Sequence, residues 1–174
     1  LSTGGREEIN ERFWEEIASS LPVIAGCEIS VLSFSSGKEN DADLCSSFAN
    51  QLNRHGHSVN IQAVPADAFV AASLLTNNDL VVACRYHAAV LSYLVETPTV
   101  IIPYHQKLRD FVAEVQLPLG LVPRRQDAAT VIASKLESIH SGDTLPSAEL
   151  TVSRARELAN RNVTAMRHLG LGAR

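Results

Sequence analysis

Arg85 and His87 are the residues best placed to do chemistry. They follow Leu80-Val-Val-Ala-Cys84, a five-residue apolar run that reads as a buried strand. An Ala-, Leu- and Val-rich segment comes next and reads as a helix of about two and a half turns. Pro98 closes it, and a second apolar run follows at 99–102. In open parallel sheets ligands bind beyond the carboxyl ends of the strands, which is where this spacing puts Arg85 and His87. A guanidinium fork, an imidazole that titrates near neutrality and the unpaired N–H groups of a helix start would converge there. Such a site suits a carboxylate or a phosphate, and the imidazole could move a proton. The structural alternative pairs Arg85 with a carboxylate and makes His87 a helix cap.

Tyr104, His105, Lys107 and Arg109 follow the second run. Consecutive parallel strands joined by a right-handed crossover bring their carboxyl ends to one rim, so Lys107 or Arg109 could face the same pocket as Arg85. Leu108 and Phe111 mark the buried face nearby and favour Lys107 as the inward cation. The alternative is a solvated first helical turn. His55 and His57 sit at a helix end, where imidazoles cap carbonyls, and no third ligand stands near them in sequence. Asp41 and Asp43 read as helix caps, Arg124 and Arg125 as solvated. The three cysteines, Cys27, Cys45 and Cys84, form no CxxC pair and read as small buried hydrophobes of a reducing compartment. No zinc spacing, Ser-His-Asp order or paired catalytic carboxylates occur, so no metal is expected.

These residues need a scaffold. Apolar positions at helical spacing predict helices over 6–21, 41–54, 65–75, 106–116 and 127–140, with a charge-rich one over 148–169. Strands are expected at 28–34, 58–64, 80–84 and 99–102, and a weak one at 118–122. Residues 35–40 read as a loop, and Asp127 as the cap of the helix that follows it. Strand and helix alternate, which predicts an α/β fold, a Rossmann-like parallel sheet with helices on both faces. Residues 1–145 are expected to form that domain, and 146–174 a charged helix packing on it or on a partner domain. GxGxxG is absent, so a conventional dinucleotide site has no support.

Composition narrows the classes. Of 174 residues 45% are hydrophobic and 20% charged, as for a globular core. A formal net charge of −4 gives no electrostatic case for nucleic acid or an anionic membrane. No apolar run approaches the roughly 20 residues of a membrane helix, and a cytoplasmic location is expected. Leu1-Ser-Thr-Gly-Gly5 has no initiator Met, which suggests a fragment or a processed chain.

The stretch NDLVVACRYHAAVLSYLVETPTVIIPYHQKL resembles the C-terminal region of the polysaccharide pyruvyl transferase family. There a strand ending in R-x-H leads into an Ala-rich helix, then G-x-P-x-V, then a Tyr and a basic residue. The matching positions here are Arg85 and His87, Glu96-Thr97-Pro98, Val100, Tyr104 and Lys107. Glu96 stands where the family has Gly. The resemblance is tight over 79–107, looser over 29–43 and 66–76, and does not reach the last 40 or so residues.

It implies the C-terminal, donor-binding half of a GT-B-like transferase that moves a pyruvyl group from phosphoenolpyruvate to a sugar of a cell-surface glycan precursor, as in exopolysaccharide synthesis. His87 is then the implied catalytic acid. Arg85 and Lys107 would hold the donor's carboxylate and phosphate, with Tyr104 also on the substrate. Phosphoenolpyruvate is the donor substrate, and no cofactor is implied. A central strand and an N-terminal acceptor domain are implied to lie outside these residues, so this chain would be incomplete as an enzyme; the reading leaves room for a homo-oligomer. Two other classes stay open: a GT-B glycosyltransferase or sugar-nucleotide epimerase, and a non-catalytic binding or assembly relative.

Overall fold

The computed structural model describes residues 10–34, 41–146 and 148–168, with side chains as far as residue 160. The start of the helix expected over 6–21, as far as residue 9, the loop over 35–40 and the end of the last helix at 169 fall outside these residues. Four strands alternate with helices: α1 (Glu11–Ser20), β1 (Glu28–Ser33), α2 (Ala42–Arg54), β2 (Ser58–Ala63), α3 (Ala68–Thr76), β3 (Val81–Ala83), α4 (Tyr86–Leu94), β4 (Thr99–Ile101), α5 (Gln106–Val115), α6 (Ala128–His140) and α7 (Val152–His168). The fold is mixed α/β with short parallel strands, close to the expected element order.

Local chemistry explains the boundaries. Asn10 accepts from Phe13 N at 3.1 Å and starts α1. Asp67 accepts from Phe69 N and Val70 N at 2.8 and 3.0 Å and starts α3. Two expectations need correction. Residues 118–122 form no strand; Leu119–Leu121 is a 3-10 turn closed by Leu121 N to Pro118 O at 2.8 Å. Only Leu121 is buried in it and Leu119 is 88% exposed, so the run lacks the alternation a paired strand would bury. Asp127 occupies the position before α6 without capping it. The preceding 3-10 turn, Arg125–Asp127, aims its carboxylate at Arg124 Nε, 2.6 Å away.

α4 ends before Pro98 is reached. Glu96 N donates to Tyr93 O at 3.1 Å and Thr97 N to Ser92 O at 3.0 Å, the paired bonds of a helix end with a left-handed residue after it. That residue is Glu96, at φ 57°, a conformation costly for a side chain with a Cβ and free for Gly. Glu96→Gly is therefore expected to raise stability by about 1 kcal/mol, read as a higher urea midpoint at unchanged slope. A lower midpoint would mean that the Glu96 side chain stabilises the turn.

β1 pairs with β2 and β3 with β4, both parallel. The two pairs are not bonded to each other among the described residues, so the expected single sheet is seen as two pieces. Successive side chains on a strand face opposite ways, and β4 shows what covers each side. Val100 and Ile102 pack with Phe13, Ile17 and Ile132 of α1 and α6. Ile101 packs with Ala88, Ala89, Leu108 and Phe111 of α4 and α5. α1 also reaches the other pair, its Ala18 packing with Val31 of β1 and Leu52 of α2. Ahead of α7, Tyr93 Oη donates to Leu150 O at 2.6 Å and Leu150 N to Val115 O at 3.2 Å, which stitches this segment to α4 and α5.

Candidate active site at the carboxyl rim of the strands

Because β3 and β4 are parallel neighbours, the residues that leave them share one rim. Arg85 and His87 leave β3, and Tyr104 and Lys107 leave β4. Arg85 is the residue just before α4, with extended backbone at φ −100°, ψ 141°. Its side chain turns away from the helix and crosses to Asp41, which follows β1. Arg85 Nε donates to Asp41 Oδ2 at 2.9 Å and Nη2 donates to Oδ1. The two side chains keep only 34% and 14% of their surface. A two-point guanidinium–carboxylate pair of this kind is strong and directional, and here it clamps the rims of the two strand pairs together. The structural alternative for Arg85 is thus present in the fold, its carboxylate being Asp41.

Asp41 stands at the start of α2 without a side-chain cap bond, which corrects its reading as a cap. Nothing in its neighbourhood in sequence pointed to Arg85, which lies 44 residues away. The one available signal was its place after a strand, on the side of the sheet where ligands bind.

A cavity of about 1250 Å³ opens beneath this rim, and Asp41, Arg85, Cys45, Cys84, Tyr104 and His105 are among the residues lining it. Tyr104 borders Arg85. Burial pushes the Tyr104 phenol above its usual range of about 10, against the pull of the Arg85 cation. Burial also pushes the Cys84 thiol up to about 12, with Arg85 opposing, and raises Cys45, where Asp41 adds to the effect. Both are held as neutral thiols, so neither is a ready nucleophile. Cys27 is exposed, contrary to the expectation that all three cysteines are buried.

His87 and Lys107 stand apart from that cavity. His87 is exposed in the first turn of α4, its ring 5.9 Å from that of Tyr86. It lies within the helix, two residues past the cap position, so it is not the cap of the structural alternative. Lys107 is exposed in the first turn of α5, and Arg109 is exposed as well. The inward orientation expected of Lys107 is not what the structure shows, because Leu108 alone of the pair turns into the core. α4 and α5 pack side by side, so the four residues form a rim with Arg85 and Tyr104 on its inner side and His87 and Lys107 on its outer side.

The remaining histidine pair is structural. His55 Nε2 lies 3.1 Å from Glu15 Oε1, and Arg54 Nη2 lies 3.2 Å from Glu15 Oε2. His57 Nε2 is buried with no partner among the described residues. Burial lowers the His57 imidazole from its ordinary 6.5; a backbone bond with Ala18 opposes this and His55 adds to it. The folded state therefore favours the neutral ring. Its contribution is complete above 6.5, declines as the pH falls below that value, and levels off below the depressed folded value. Urea unfolding between pH 7.5 and 5 should show His57→Gln losing less stability than the parent chain. Parallel losses would mean that His57 does not titrate differently on unfolding. Among the described residues no group of three His, Cys, Asp or Glu side chains is arranged to hold a metal ion, and no helix is long and apolar enough to cross a membrane.

A family model described as polysaccharide pyruvyl transferase matches residues 4–106, more than half of the chain. The match takes in Asp41, Arg85, His87 and Tyr104 and stops one residue short of Lys107. No curated protein and no solved structure matches the chain.

Proposed function

Since the chain belongs to the polysaccharide pyruvyl transferase family, we propose that it is the donor-binding part of an enzyme that transfers pyruvyl from phosphoenolpyruvate to a sugar of a cell-surface glycan precursor. The observation that carries this reading is Arg85: a half-buried guanidinium at the carboxyl end of β3, beside the start of α4 and against Tyr104. Phosphoenolpyruvate is small and multiply anionic, and this is the group of the rim best suited to a carboxylate or a phosphate. In the free protein Asp41 takes two of the five guanidinium donors. The carboxylate keeps the cation pre-aimed and limits the net charge of the site until a donor enters.

The reaction adds a proton to the methylene carbon of phosphoenolpyruvate. Two sugar hydroxyls then add to its C2 as the C2–O bond to phosphate breaks, one hydroxyl proton restoring the acid and the other leaving with the phosphate, which gives a cyclic ketal and inorganic phosphate. His87, on the outer side of the rim, is the acid that supplies the proton, and Lys107 meets the leaving phosphate. A donor anchored by its carboxylate at Arg85 and extending outward along the first turn of α4 would reach His87. The acceptor sugar then approaches from solvent, where an acceptor domain would hold it.

A thermal-shift comparison tests the donor class. Phosphoenolpyruvate should raise the melting temperature of the full chain by several degrees, as expected for ligand at about 100 times its Kd, and UDP-sugars should not. The reverse order would replace the reading with a nucleotide-sugar enzyme. No shift with either, together with no turnover, would leave a binding or assembly protein.

A further inference from the structure

β2 is an edge strand without the usual protection. It pairs with β1 on one side and, among the described residues, has no strand on the other. Natural edge strands are kept from pairing with other chains by charged side chains, prolines, bulges or a covering segment. Ser58-Val-Asn-Ile-Gln-Ala63 has no charge and no proline, and its register with β1 runs without a bulge. Ser58, Asn60, Ile61 and Ala63 are exposed.

The backbone fixes what this edge presents. Val64 N donates to Ser33 O at 2.9 Å, so Val64 turns its backbone groups toward β1. Along a strand these groups alternate in direction. Ser58, Asn60 and Gln62 therefore also face β1, while Val59, Ile61 and Ala63 turn their N–H and C=O outward. The outward set is symmetric about Ile61. Val59 packs with Val31, Ala49 and Leu52 on the α2 side of the pair. Ile61 shares that face, yet it is 48% exposed, at the open edge.

We infer that this edge is the interface between two copies of the chain, β2 pairing antiparallel with β2 about a two-fold axis at Ile61. A two-fold interface uses the same patch on both copies, and two identical edges related in this way run antiparallel. One register employs all three outward residues. It sets Ile61 against Ile61 and Val59 against Ala63, each pair exchanging two backbone bonds. Asn60 then stands opposite Gln62, an amide pair able to bond across the strands, and no like charges meet.

α2 supplies a second layer. It lies over both β1 and β2, so at a strand spacing of about 4.8 Å the two α2 helices come about 10 Å apart, the spacing of packed helices. Ser47 and Gln51 of α2 bond to Glu11 of α1. About half a turn round from them stand Ser46 and Asn53, exposed and uncharged, on the flank away from α1. The helices run antiparallel, which turns the Asp43 end of each toward the Arg54 end of the other, opposite in charge and in helix dipole. The two carboxyl rims open at opposite ends of the joined sheet, so both candidate sites stay accessible. The inference does not depend on the donor reading.

Sedimentation of the 174-residue chain from about 1 to 100 μM should show a dimer that forms with concentration. Ile61→Pro removes an outward N–H and leaves the ladder to β1 intact. It should weaken the dimer by at least about 30-fold, with an unchanged circular dichroism spectrum. Ile61→Lys and Ile61→Glu each place like charges opposite one another at the axis. Each should be monomeric alone, and their equimolar mixture should dimerise; this pair carries the test should Ile61→Pro fail to fold. A monomer at every concentration, a dimer that survives Ile61→Pro, or a mixture that stays monomeric overturns the inference. So does loss of the dimer in Phe69→Ser, a residue 89% exposed on α3, which would move the interface to that helix.

Discussion

Arg85→Ala should abolish measurable binding of phosphoenolpyruvate by the full chain in titration calorimetry. Truncating one partner of a desolvated, charge-assisted contact costs about 2–5 kcal/mol, or roughly 30- to 4,000-fold in Kd. The substitution also strands Asp41, whose side chain is 14% exposed. Some loss of stability is expected for that reason, because an unpaired, largely buried carboxylate loses its compensation. Arg85→Ala with Asp41→Ala separates the two effects: it removes the stranded charge and recovers stability, but not binding. Arg85→Lys should keep part of the affinity and lose the two-point geometry. Donor affinity unchanged in Arg85→Ala would remove the donor site from this rim.

His87→Gln should separate binding from turnover. The side chain is exposed and does not line the cavity, so folding and donor affinity should change little. Turnover, measured with the acceptor domain and acceptor sugar present, should fall by about 100- to 10,000-fold, the usual worth of a positioned proton donor. Glutamine keeps a hydrogen-bonding end group and cannot act as an acid near neutrality. Undiminished turnover would assign the proton to another group, and His105, which lines the cavity, would be the next to replace. A matching loss of donor affinity would instead make His87 a binding residue.

The contrast between Arg85 and His87 shows how far the chain could be read. Both were legible as chemistry because a strand, a turn and a helix start are local features, and three residues suffice to place them. Whether each pointed inward was not local. Lys107 was expected inward on the strength of Leu108 and Phe111, yet one residue of helix turns a side chain by about 100°, and Leu108 took the core position. Asp41 read as a cap because capping needs only the next few residues, whereas its partner Arg85 is set by how two strands lie together. The five apolar or neutral residues at 118–122 could not be told from a short strand, since burial of Leu121 alone decided the matter.

Hydrophobic period, helix starts and the R-x-H turn are properties of consecutive residues, so the sequence by itself determined the order of helices and strands, the family pattern and the candidate residues. Packing over long separations is not encoded in any window. Only the tertiary structure decided that Arg85 is clamped by Asp41 across the rim, that His87 and Lys107 stand on its outer side, and that β1 and β3 face each other across an open slot. The physical reason is that backbone pairing and side-chain burial are satisfied between elements, and an element shows its unpaired edge only once its neighbours are in place.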